Sequence, residues 1–327
     1  MKTLVVYHKN CMDGLGAAAS YSTLVKANLK EDMVFKAIQH GEPAKENFMK
    51  NLTEDEKNCS ELVFLDFSLD KEQILETCNY FEKVLVIDHH KTAEADLQDL
   101  DNIKNLELIF DMTKSGAMLT WEYVYSKYPK IGEIIPIEFI QYIQDRDLWY
   151  WDMFESKAFS EGLRLAVDRQ KNKLYKQNIS LTDEEIELNA FLVICTYLEI
   201  GEITEIGKIL LEKTESMVNS KIKMDKLKSV WFGDLNTGVE VLMLNATENI
   251  SEIGNAICLK YNVPAMMYFI LETGEVVFSL RSTDDLPDVS KIAKAYGGGG
   301  HRNACGFKGD LNLLGMFLSG NPEAEEL

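Results

Sequence analysis

Three short apolar runs in the first ninety residues end at or beside Asp or His, residue types able to ligate metal ions. Residues 3–7 (TLVVY) lead into His8, residues 62–67 (LVFLDF) carry Asp66, and residues 84–88 (VLVID) end on Asp88, followed by His89 and His90. Such near-continuous β-rich runs suit strands covered on both faces. Further strands are expected at 33–38 and 106–110, with helical patterns near 14–28, 44–51 and 70–82. The alternation predicts a mostly parallel sheet flanked by helices, an α/β fold. In such sheets ligands bind beyond the carboxyl ends of the strands. A single Asp after a strand is usually a turn or cap residue. Three strand ends bearing Asp or His instead predict one shared cleft.

Imidazole mixed with several carboxylates suits Mn²⁺, Fe²⁺ or Zn²⁺, and a larger carboxylate share favours Mn²⁺. A carboxylate can bridge two ions, which together generate a hydroxide and stabilise a phosphoryl displacement.

Residues 115–225 read as helical. Ser115 is a candidate N-cap, and so is Thr182, whose followers Asp183, Glu184 and Glu185 suit the positive end of a helix dipole. Gly201 is expected to divide the stretch 181–223. A second alternating region has strands at 239–244, 265–271 and 275–281, helices at 250–261 and 288–296, and Gly274 in a hairpin turn. The expected organisation is a parallel-sheet catalytic domain (1–180), a helical connector (181–226) and a smaller α/β domain (227–327). The acidic tail from Asn321 is expected to fray.

The 327 residues include 34 basic and 53 acidic ones, a formal net charge of −19. That argues against tight binding of long duplex nucleic acid, which normally needs a basic face. A small anion remains compatible if metal ions supply local positive charge. The six cysteines are scattered without a CxxC pair, which points to reduced thiols rather than a disulfide framework. No apolar run approaches the ~18 residues of a membrane span, and the amino terminus lacks signal-peptide character. A cytoplasmic protein is expected.

Asp88-His89-His90 resembles the signature of the DHH phosphoesterase family. The segment His8 to Gly14 is similar to that family's opening HxDxDG motif, Asp66 to its second motif, and Asp145 in YIQDRDLW to its fourth. Gly297 to Phe307 resembles the GGGH motif of the DHH-associated C-terminal domain. Within that family the motifs look most like those of the NrnB-type oligoribonucleases of the wider RecJ, NrnA and GdpP group. The resemblance implies that His8, Asp13, Asp66, His89 and Asp145 bind metal, most simply two Mn²⁺ ions, with Mg²⁺ or another divalent ion as substitute. Asp66 would bridge the ions, and His90 would contact the scissile phosphate or help place the attacking hydroxide. Cys11 stands where the motif has its first aspartate, after a spacing one residue longer, and is either a thiolate ligand or a turn filler. Asp147 divides evenly between a direct and a supporting role.

The glycine run allows positive φ and a nest of N–H groups for an anion. Gly298, Gly299, Gly300 and His301, with Arg281 as a bidentate clamp, are the candidate substrate-binding set; Arg302 is a weaker one. Trp149, Tyr150 and Trp151 read first as packing residues and second as a base-stacking platform. The resemblance implies an active site in the cleft between the domains, acting on short oligoribonucleotides or dinucleotides and releasing nucleoside 5′-monophosphates. A homodimer is compatible with the sequence. Rival readings are a cyclic-dinucleotide phosphodiesterase, a phosphoadenosine-phosphate phosphatase, a single-strand exonuclease, a polyphosphatase, and a metal-bound nucleotide sensor that has lost activity.

Overall fold

A computed structural model describes residues 2–30, 32–39, 47–177, 180–233 and 238–319. The chain divides into two compact units, Met1–Leu211 and Glu212–Leu327.

In the first unit the strands are β1 (Lys2–His8), β2 (Asp32–Ile38), β3 (Glu61–Leu65), β4 (Lys83–Asp88) and β5 (Leu106–Phe110). They form one sheet in the order β2-β1-β3-β4-β5, and every pairing is parallel. The chain leaves β1 toward β2 on one side and returns to β3 on the other. The order therefore reverses between β1 and β3, the position where doubly wound sheets open a crevice. The five strands lie where the apolar runs placed them.

Side chains alternate across the sheet, so each strand feeds two cores. Val5, Tyr7, Val63, Leu65, Leu85 and Ile87 face one helical layer. Leu4, Val6, Leu62, Phe64, Val84 and Val86 face the other. This is the physical basis of the unbroken apolar runs.

The helices of this unit are α1 (Met12–Lys26), α2 (Glu54–Lys57), α3 (Lys71–Tyr80), α4 (Lys91–Leu97), α5 (Gly116–Lys127), α6 (Ile137–Asp147), α7 (Ser156–Lys176) and α8 (Asp183–Tyr197), with α9 (Ile200–Lys221) crossing the division. Ser115 caps α5 by accepting from Met118 N at 3.3 Å. Thr182 and Glu185 form a reciprocal capping box on α8. The chain breaks at Leu198 and Glu199, not at Gly201, which lies inside the first turn of α9. Leu188, Ala190, Phe191 and Ile194 of α8, read as part of a connector, are buried in the first unit's own core. Of the helix expected at 44–51, residues 44–46 lie outside the described residues, and the described end, Phe48–Asn51, is a 3₁₀ turn. The frayed tail expected from Asn321 also lies outside them.

The second unit holds β6 (Lys228–Phe232), β7 (Val239–Asn245), β8 (Ala265–Ile270), β9 (Val276–Arg281), β10 (Gly299–His301) and β11 (Ala304–Gly309), with helices α10 (Ile250–Tyr261), α11 (Ser290–Ala295) and α12 (Leu311–Ser319). Its mixed sheet runs β10-β11-β9-β8-β7-β6, with only β7 and β8 parallel. The β8–β9 hairpin turns through Gly274 at φ +87°, as expected. Among the described residues no helix is long and apolar enough to cross a membrane.

Candidate metal centre

The carboxyl ends of β1, β3 and β4 bring His8, Asp66 and Asp88-His89-His90 together. Asp66 follows β3 directly and has φ +52°, a left-handed conformation that costs a non-glycine residue free energy. It is 1% exposed. Its Oδ1 lies 3.2 Å from His89 Nε2, and its Oδ2 lies 3.4 Å from His8 Nδ1. That Oδ2 has no directed hydrogen-bond partner although it is buried.

Around Asp66 the ligand atoms fall into three groups. His8, Cys11 and Asp66 form one, Asp13, His89 and Asp147 form another, and Asp66, His89 and His90 form a third that overlaps both. His89 Nε2 is 3.7 Å from Asp13 Oδ2 and 3.4 Å from Asp147 Oδ2, as well as close to Asp66. One imidazole N–H cannot satisfy three carboxylates, and packed carboxylates repel. Burial, together with Asp66 and Asp147, pushes the Asp13 carboxyl well above the usual carboxylate range. Burial and the same three carboxylates push the Cys11 thiol up. For Asp66 burial acts in the same direction, but the neighbouring imidazoles of His8 and His89 outweigh it and hold this carboxyl below the usual range. A buried acidic cluster with an orphaned oxygen at its centre fits divalent cations, and these residues would hold them.

Asp88 does not enter the cluster. Its Oδ1 accepts from His89 N at 2.7 Å and takes His90 Nδ1 at 2.6 Å. Burial lowers the basicity of His90, but Asp88 more than compensates and the imidazole is pushed up to about 9. Asp88 thereby fixes the ring and leaves Nε2 as the outward nitrogen.

Asp13 has two tasks. It lies in the first turn of α1, and its carboxylate accepts from Gly116 N at 2.6 Å and Ala117 N at 3.0 Å, at the start of α5. The positive end of that helix stabilises its charge. Spare lone pairs on both oxygens leave it able to ligate a metal. Cys11→Ser should therefore lower bound metal far less than Asp13→Ala, which also releases α5. Metal content of the purified variants, by mass spectrometry, checks this; equal losses would make the thiolate an essential ligand.

The fourth-motif carboxylate in the cluster is Asp147, not Asp145. Asp145 is 5% exposed, but its oxygens accept from Asp152 N at 2.9 Å and Met153 N at 3.4 Å. It is turned away because it ties down the segment after α6, where Trp149, Trp151 and Glu155 have φ of +61°, +60° and +53°. Such residues cost about 1–3 kcal/mol each, which the Asp145 bonds help offset. We expect Asp147→Ala to lose metal, and Asp145→Ala to keep it while lowering the melting temperature. The reverse pattern would restore Asp145 as the ligand.

On the second unit, register places Arg281 beside Ala304 and Ala304 beside His301. Directly paired residues share a sheet face, so Arg281 and His301 lie two strands apart on one face. Arg281 Nη2 donates to Ser251 Oγ at 3.1 Å, at the start of α10. The glycine run is not a free loop. Gly297, at φ +75°, ends α11: its N–H bonds Lys294 O at 3.0 Å, and that of Gly298 bonds Ala293 O at 2.8 Å. Gly299 and Gly300 belong to β10. A Cβ on Gly298 would lie 2.1 Å from Gly306 O, so close strand approach explains this glycine. Arg302 is committed to the carbonyls of Asp284 and Leu286.

Sequence reasoning missed Gly14 and Gly116. A Cβ on Gly14 would lie 2.3 Å from His8 O, and one on Gly116 would lie 2.5 Å from Asp66 Cβ. Gly14 stands inside the first motif, but no sequence spacing links Gly116 to Asp66.

A doubly wound sheet with an Asp/His cluster at its switch point, followed by a second unit with its own mixed sheet, is a two-unit α/β architecture with a candidate metal centre. The family model described as DHHA1 domain matches residues 239–319. An uncharacterised protein of Acanthamoeba polyphaga mimivirus is 29% identical over 313 residues, covering 93% of this chain and 66% of that protein. The oligoribonuclease NrnB of Bacillus subtilis is 24% identical over 323 residues, covering 96% of this chain and 75% of that protein. The chain thus spans just under two thirds of the mimivirus relative's length. RecJ from Thermus thermophilus, solved in complex with Mn²⁺, shares the fold with a TM-score of 0.55 at 14% identity, over 97% of this chain and 51% of that one. In its DHHA1 match and its NrnB relative the chain is similar to phosphoesterases of the DHH family.

Proposed function

We propose that the protein is a metal-dependent phosphodiesterase that hydrolyses short oligoribonucleotides or dinucleotides to nucleoside 5′-monophosphates. The observation that carries this is Asp66, buried, with one oxygen toward each of two ligand groups. His8, Cys11 and Asp66 would hold one divalent ion, and Asp13, Asp66, His89 and Asp147 the other. When bound, such ions generate a hydroxide nucleophile and stabilise charge on the phosphoryl oxygens. His90, oriented by Asp88, would contact a phosphate oxygen through Nε2. Arg281 and His301 offer anion contacts on the second unit. The ordered motifs and the NrnB relative support the substrate class. The chain's acidity supports short substrates over long polymers, and its six free cysteines suit the cytoplasm.

The test is a panel of di- to decaribonucleotides, cyclic dinucleotides, phosphoadenosine phosphate and polyphosphate, assayed with Mn²⁺, with Mg²⁺ and after chelation. We expect the highest kcat/KM on the shortest ribonucleotides with Mn²⁺, and none after chelation. Full turnover in chelator, or activity confined to polyphosphate, would overturn the reading.

A further inference from the structure

Beside the cluster lies a cavity of about 180 Å³ whose lining includes Tyr142, Arg146, Phe159 and Arg164 together with Asp13 and Asp147. It is formed wholly by the first unit, from the turn at Asn10 and Cys11 and from α1, α6 and α7. Its chemistry differs from that of the metal centre: aromatic and aliphatic surface with two guanidinium groups, against carboxylates on one side.

We propose that this cavity holds the nucleobase of a nucleotide unit bonded to the scissile phosphate. The proposal rests on the phosphodiesterase reading of the cluster. Three observations carry it. First, the half-buried Tyr142 lines the cavity, its ring backed by buried Phe159 at 4.4 Å with ring planes inclined by 31°. Aromatic faces stack on any base. Second, Arg146 lines the cavity together with Asp147. Its Cζ lies 4.4 Å from the Trp149 ring and 5.4 Å from the Trp151 ring. Those tryptophans adopt left-handed φ; the N–H of Trp149 bonds Arg146 O at 3.2 Å and that of Trp151 bonds Asp145 O at 3.5 Å. A strained, anchored turn beside a site is the kind of backbone that persists only where surroundings enforce it. Third, ligand pockets for larger molecules usually run to ~300–1,000 Å³. This one suits a single ring system, with the sugar and phosphate left toward Asp13 and Asp147.

The full-length protein, stripped of metal by chelator, is titrated with adenosine and separately with ribose 5-phosphate, and binding is followed by ligand-observed NMR. Ser160→Trp places an indole into the cavity from its α7 wall. It should weaken adenosine binding about tenfold, the order expected for losing one stacked base, with little change for ribose 5-phosphate. Arg164→Ala, at a half-exposed site, is the second variant in case the first misfolds, and should weaken adenosine binding severalfold. In the metal-loaded protein, the kcat/KM ratio of a diribonucleotide to bis(p-nitrophenyl) phosphate should fall in parallel. Unchanged adenosine binding in both variants, or equal loss for ribose 5-phosphate, overturns the proposal. A wild-type protein that cleaves neither diester would sink the phosphodiesterase reading instead, while the adenosine titration still decides the cavity.

Discussion

Asp66→Ala is expected to remove bound metal and phosphodiester turnover together. Asp66 faces His8 through one oxygen and His89 through the other, so it is shared by the group with His8 and Cys11 and the group with His89 and His90. Losing a partner that merely supports a ligand costs roughly 10–100-fold in metal affinity or activity. Loss of a carboxylate shared by both groups should exceed that on both measures. The fold should survive, because alanine relieves a buried charge, although φ +52° remains unfavourable for any residue with a Cβ. The check is metal content, turnover and melting temperature on one preparation. Full metal content with no turnover would reassign Asp66 from binding to chemistry, and normal turnover would remove it from the site altogether.

Gly116→Ala should be nearly as damaging, through a residue that touches no ion. The added methyl would meet Asp66 Cβ at 2.5 Å, Asp66 Cα at 2.9 Å and Asp13 Oδ2 at 3.0 Å. Those atoms are backbone-proximal and buried, so the start of α5 must move. Overpacking of this kind costs about 1–3 kcal/mol. The shift would also break the bonds from Gly116 N and Ala117 N to Asp13. We expect a lower melting temperature and a large fall in metal affinity. Gly132→Ala, where the nearest atom to the added methyl is 3.9 Å away, serves as the control. Unchanged metal affinity in Gly116→Ala would show that α5 can retreat without disturbing the carboxylates.

The parallel sheet was legible because burial on both faces writes a distinctive apolar run, and Asp or His after each run marks the functional edge. The caps at Ser115 and Thr182 were legible because capping is local chemistry within three residues. Several features were not. Asp145 and Asp147 are two residues apart near the end of α6, and either could have faced the cluster. The choice was made by the turn after α6, whose N–H groups claim Asp145. Likewise the glycine run reads as an anion-binding loop, yet its first two residues close α11 and the next two pair in a sheet. Glycine permits both uses, and only the neighbouring backbone selects one.

By itself, then, the sequence determined the parallel sheet of the first unit and which strand ends carry chemistry, because periodicity and strand-end residues are encoded within short windows. Tertiary structure alone decided that α5 begins against Asp13 and Asp66, that Asp147 completes the cluster, and that an aromatic and guanidinium cavity lies beside it. The physical reason is range. These relations join residues such as Asp13 and Gly116, whose contact is 103 positions apart in the chain, and they depend on distances of a few ångströms that no local pattern records.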